Sequence, residues 1–180
     1  MRTGYLALAI ATLMTTTALP ALADDSGHWH GLAVLVNTDQ KLAKLQDQPN
    51  HTVLLMDEDG VVHTIDGKFL DKAHYQVLAL SDSAVGAYGY KTFTEADGSK
   101  VFATYKVTEF KPPVVNGTFE FTGGTDKYTG ITGKGTFHLV RVGDKAAWDE
   151  LIGDYKIPTA VAGAASKNQA GLDGTADYQP

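Results

Sequence analysis

The chain has no cysteine. That excludes a disulfide framework, thiol catalysis, zinc–thiolate sites and iron–sulfur clusters, so a hydrophobic core must hold the fold together. Basic residues are also in deficit. Fifteen Lys and Arg against twenty-one Asp and Glu leave a formal charge of −6, and bulk attraction to nucleic acid or anionic membrane is not expected. No apolar run reaches the roughly 20 residues that a membrane-spanning helix needs. No Gly-x-Ser-x-Gly elbow and no His-Glu-x-x-His occurs, which removes the commonest hydrolase and metalloprotease signatures. Gly133-Lys134 is followed by Gly135, so the glycine-rich segment there is not a phosphate loop, which requires Ser or Thr at that point. Asp57-Glu-Asp-Gly60 lacks the remainder of an EF-hand loop and reads as a turn.

What the chain does have begins with an export pattern. Arg2 precedes an apolar stretch from Tyr5 to Met14, Pro20 breaks it, and Ala21-Leu22-Ala23 places small residues before a cut. Residues 1–23 are therefore expected to be a signal peptide, giving a periplasmic or secreted protein that starts at Asp24. Residues 24–158 read as a single domain. Residues 159–180, rich in Ala, Gly, Asn, Gln and Asp without periodicity, read as a loose tail.

Between those ends the pattern is that of β-structure. Strands are expected over 28–37, 51–57, 61–66, 75–80, 85–96, 101–110, 114–122, 132–142 and 148–157. Glu58-Asp59-Gly60 between two apolar runs suggests a hairpin turn. Thr38 to Gln48, with Leu42 and Leu45 three apart among Lys and Gln, suggests one short amphipathic helix stopped by Pro49. In the strand from Val101, the set Val101, Ala103, Tyr105 and Val107 is more apolar than its alternates and should face a core. Crossover helices are missing, which argues against a parallel α/β fold. A closed antiparallel barrel or a two-sheet sandwich remains. Long strands, tight hairpins and many glycines favour the barrel.

Phe121-Thr-Gly-Gly-Thr-Asp-Lys-Tyr-Thr-Gly-Ile-Thr-Gly-Lys-Gly-Thr-Phe137 joins two of these strands. The segment resembles the glycine-rich hairpin of the allene oxide cyclase and dirigent-like barrel group. Small secreted bacterial proteins carry a closer form, with an ending similar to Gly153-Asp-Tyr-Lys-Ile-Pro158. Asp126 stands where that group usually has glycine. The resemblance spans about 101–158. It implies an all-β, calycin-like antiparallel barrel of about eight strands around an apolar pocket, working without a cofactor. Relatives of this kind steer cyclisation or coupling of reactive apolar molecules. Their acidic catalytic residue cannot be placed here by motif, and no functional residue is carried over.

Candidate site residues follow from alternation and chemistry. His28 and His30 point to one side of a strand and could share a divalent metal if His63, His74, His138 or an Asp or Glu side chain supplied a third ligand; the competing reading is a solvated face. His138 faces opposite to Phe137 and Leu139 and is a candidate general base. Glu120 is a candidate acid, although it alternates with Phe119 and Phe121 and so faces away from them. Tyr90 and Tyr105 are candidates for a ligand-binding pocket, each with an apolar ring and an orienting hydroxyl. Three readings result: a barrel that binds a small apolar or aromatic molecule in its lumen, a cofactor-free isomerase, cyclase or lyase on a hydrophobic substrate, and a packed structural or stress-related envelope protein. The residues leave open whether the chain is an enzyme and whether it forms a homo-oligomer.

Overall fold

The computed structural model describes residues 25–159. The expected signal peptide and nearly all of the expected tail lie outside them. Eight strands follow in order: β1 (Asp25–Lys44), β2 (Thr52–Thr64), β3 (His74–Asp82), β4 (Gly86–Thr94), β5 (Lys100–Lys111), β6 (Val114–Gly124), β7 (Thr132–Val142) and β8 (Ala146–Ile157). Every strand pairs antiparallel with the next. β8 returns to β1 from Asp25↔Ile157 to Val36↔Ala146, and the barrel is closed. Closure leaves no sheet edge along the body of the barrel. Among the described residues no helix is long and apolar enough to cross a membrane.

The expected alternation holds. Val101 and Ala103 are buried and Tyr105 and Val107 half-buried, while Phe102, Thr104 and Lys106 face out. Phe119 and Phe121 from β6 and Phe137 and Leu139 from β7 likewise share the interior.

Two local expectations are corrected. The short helix over 38–48 does not form. β1 runs on to Lys44, pairing Asp39↔Asp57 through Lys44↔Thr52 after an irregularity at 37–39. A helix of two or three turns is marginal alone, whereas β2 offers this segment a full row of backbone partners. This extension projects past β8, whose pairing with β1 ends at Val36, and leaves Leu42 exposed. The hairpin at Glu58-Asp59-Gly60 does not form either. β2 passes straight through it, so nine expected strands become eight. Gly60 serves close approach instead: a Cβ there would lie 1.9 Å from the Val34 carbonyl oxygen of β1. The helical content among the described residues is a 3-10 turn at Asp126–Tyr128. Its first residue, Asp126, takes φ +52°, the left-handed conformation for which glycine is the usual choice.

One end of the barrel is filled with aromatic rings. Trp29 is fully buried and meets Phe69, Phe93, Phe119 and Phe121 at centroid distances of 5.6, 5.6, 6.1 and 6.1 Å. Phe69 comes from the β2–β3 connection and stacks on Tyr155 at 3.9 Å. Such pairs contribute about 0.5–1.5 kcal/mol each beyond area burial. The Trp29 indole donates to Thr64 Oγ1 at 3.1 Å, so its one polar group is satisfied. Tyr75 and Phe93 stack at 4.7 Å on the lumen side of this plug.

Candidate functional site

The other end of the barrel is open. A cavity of about 970 Å³ occupies it. Its wall is apolar, with Leu54, Met56, Val77, Ala79, Val107 and Leu139 contributed by β2, β3, β5 and β7. Its mouth lies among Asp82, Gly86, Phe110, Pro113 and Asp144. The strands converge on this space with their inward residues because alternation leaves them no other side to use.

The floor is polar. Glu58 (β2), Lys91 (β4) and Asp149 (β8) all stand at inward positions of their strands and are 1, 2 and 0% exposed. Lys91 reaches across the lumen, and its Nζ donates to Asp149 Oδ2 at 2.8 Å. Tyr75 donates its hydroxyl to the same oxygen at 2.8 Å and accepts a hydrogen bond from Lys91. Arg141 (β7) pairs with Glu58. The Lys91–Asp149 pair thus adjoins the Tyr75–Phe93 stack of the plug, while Glu58 and Arg141 both line the cavity. Each buried charge has a partner, as the desolvation cost demands. Burial, and next the Asp149 carboxylate, push the Tyr75 hydroxyl well above its usual range. Tyr105 is raised for a similar reason: burial first, then the Glu58 charge. Both are held as neutral phenols.

Glu58, Lys91, Tyr105 and Arg141 contribute to the cavity surface, whereas Asp149 and Tyr75 stand behind it. The Lys91 ammonium lies 5.0 Å from the Tyr105 ring centroid and 4.7 Å from that of Phe137. Asp149 Oδ1 is buried with no hydrogen-bond partner among the described residues.

Of the residues singled out from sequence, Tyr105 lines this cavity. Tyr90 does not. It shares the outward phase of β4 with Tyr88 and is 55% exposed. His138 is on the outer face, its Nδ1 2.7 Å from Asn116 Oδ1. Glu120 is also on the outer face and exposed. His28 and His30 do share one side of β1, the outer one, but each engages its own carboxylate on β8, Asp154 at 3.0 Å and Glu150 at 2.8 Å. His63 pairs with Asp71 and His74 with Asp59. Among the described residues no group of three potential metal-ligating side chains is gathered.

The floor residues were missed in the sequence reading. A signal for them exists: Lys91 alternates in phase with Phe93, Asp149 with Ala147 and Leu151, and Glu58 with Met56 and Val62. A charge on the apolar phase of a barrel strand must be buried, and hence paired.

No family model and no curated protein matches the sequence. Solved structures do match. The pterocarpan synthase dirigent protein GePTS1 superposes with a TM-score of 0.50 at 17% identity, covering 82% of this chain and 99% of that one. The pterocarpan synthase dirigent protein PsPTS1 gives 0.46 at 16% identity, with 74% and 96% covered. At this identity the likeness to the first is one of fold: the chain is an eight-stranded barrel of the dirigent-like type.

Proposed function

We propose that this protein binds a small apolar or aromatic molecule in the open half of its lumen and does so outside the cytoplasm. The observation behind this reading is the cavity of about 970 Å³ with its largely apolar wall and convergent polar groups, the usual form of a small-molecule site. A barrel kept only for structure has no need of such a void, because each unfilled volume costs packing energy. Export rests on the Arg2–Ala23 segment.

Displacement of a fluorescent apolar probe tests the reading. The wild type should bind it saturably. Ala79→Trp, which projects a large ring from the wall into the cavity, should weaken binding at least about tenfold with the fold retained. Equal binding by both proteins would refute lumen binding.

A second reading, a cofactor-free isomerase, cyclase or lyase, is favoured by one feature. The Lys91–Tyr75–Asp149 network sets an amine, a phenol and a carboxylate within hydrogen-bond reach of one another beneath an apolar chamber. The dirigent protein GePTS1, of similar fold, is described as a pterocarpan synthase, so the fold is compatible with turnover. His138 and Glu120 stand on the outer face, away from this network. Loss of turnover in Tyr75→Phe with probe binding unchanged would establish this second reading; unchanged turnover would exclude Tyr75 from the chemistry.

A further inference from the structure

Lys91 is a buried amine at the floor of an apolar cavity. We infer that it is a covalent anchor for apolar aldehydes, which it captures as an imine. This deepens the proposed lumen binding and rests on it.

The geometry supports this in three ways. First, Lys91 lines the cavity that Leu54, Val77 and Leu139 wall, although it is only 2% exposed to bulk solvent. An apolar aldehyde is drawn to that wall, with its carbonyl end left to meet the polar floor. Second, a proton acceptor is in place. Asp149 Oδ2 is 2.8 Å from Nζ and can take the ammonium proton that must leave before attack. Its other oxygen has no partner among the described residues and can receive a proton without breaking a bond. Third, the Tyr75 hydroxyl, behind the cavity surface, accepts from Lys91 Nζ and donates to Asp149 Oδ2, and so holds the amine and its proton acceptor together.

The step balances. Lys91 Nζ gives its proton to Asp149, and its lone pair forms a C–N bond to the carbonyl carbon. The carbonyl π electrons move to oxygen, which takes a proton from the newly bonded nitrogen to give a carbinolamine. The hydroxyl then leaves as water with the proton that Asp149 had accepted, and Asp149 is a carboxylate again. Ammonium plus aldehyde becomes iminium plus water, with no oxidant or reductant required. The charge is conserved as well. Asp149 neutralised the ammonium and neutralises the iminium, so capture leaves no uncompensated buried charge.

Octanal with and without cyanoborohydride, set against 1-octanol, provides the test on the full-length chain. Reduction should fix octanal on the protein as an added mass equal to the aldehyde less one oxygen atom. Peptide mapping should place it on Lys91 at least about tenfold faster than on exposed lysines such as Lys68 and Lys106, because the bound aldehyde is held beside the amine. Excess 1-octanol, which fills the cavity and cannot form an imine, should suppress labelling of Lys91 and not of Lys68. Lys91→Arg keeps a cation for Asp149 and should lose the adduct; if that variant fails to fold, the wild-type peptide map decides alone. Saturable 1-octanol binding with labelling confined to exposed lysines would overturn the anchor and leave lumen binding standing. No saturable binding of either compound would overturn both.

Discussion

The two halves of the barrel use the same strands to opposite ends. Below the Lys91–Asp149 pair, Trp29, Phe69, Phe93, Phe119, Phe121 and Tyr155 fill the lumen ring against ring. Above it, mostly smaller apolar side chains, with Tyr105 and Phe137 among them, line the wall and leave about 970 Å³ open. A single strand shows the change. β6 presents Phe119 and Phe121 to the plug and the smaller Val115 to the cavity. The same contrast runs along β3, from Tyr75 to Val77 and Ala79. Side-chain volume at successive inward positions therefore decides which half is solid, with the backbone closed equally in both. The solid half should carry stability and the open half should carry binding.

Substitutions can break that division, and the largest effect is expected in the plug. Trp29→Ala should cost about 5 kcal/mol, at the upper end for an aromatic truncation, because the indole meets four other rings. Urea denaturation measures it. Asp149→Ala should cost about 3 kcal/mol or a little more by leaving Lys91 buried without its counter-ion. The double variant Lys91→Met, Asp149→Leu should recover most of that loss, which separates the cost of an orphaned charge from the worth of the pair. Leu139→Ala in the cavity wall should cost about 2 kcal/mol, the low end for this truncation, since its side chain already borders open space. A cost for Leu139→Ala equal to that for Trp29→Ala would mean that the two halves do not differ as described.

The smallest effect expected is one of pH at the cavity mouth. His51 bridges Asp47 at 2.7 Å and Asp82 at 3.0 Å, and Asp82 belongs to the mouth. The Asp47 hydrogen bond is the main cause that raises His51 above its ordinary 6.5, with burial opposing and Asp82 assisting. A raised histidine stabilises the fold most below its unfolded value, and the contribution is lost as pH rises through the folded value. Asp82 is lowered from 3.8, chiefly by the Ala84 N–H and also by His51, so its share is present above 3.8 and lost as pH falls through its folded value. The bridge is thus strongest between the two. The melting temperature of wild type relative to His51→Gln should fall as pH is taken from 6 upward. A pH-independent difference would show that the bridge does not tie the mouth.

The sequence made the barrel legible because alternation and turn chemistry repeat over eight strands. It misled where a local pattern had two solutions. Leu42 and Leu45 suit a helix face, but the neighbouring β2 segment Thr52–Asp57 supplies backbone partners that a short helix would lack. Asp59-Gly60 suits a turn, but Gly60 is needed where β1 and β2 nearly touch. The site was less legible. Histidines and tyrosines attract notice as chemical residues, yet Tyr90 and His138 stand on the outward phase. The polar floor was hidden in residues that read singly as surface charges, and Lys91, Glu58 and Asp149 become a site only when strands distant in sequence close around one lumen.

Nuclear magnetic resonance during titration with 1-octanol distinguishes a lumen that is solid in one half and receives a ligand in the other from one that binds nothing. Saturable shifts should appear at the methyl groups of Val77, Ala79, Val107 and Leu139, while the Trp29 indole N–H stays unmoved. Shifts confined to the outer face, around Tyr90 and the half-exposed Trp148, would contradict the account.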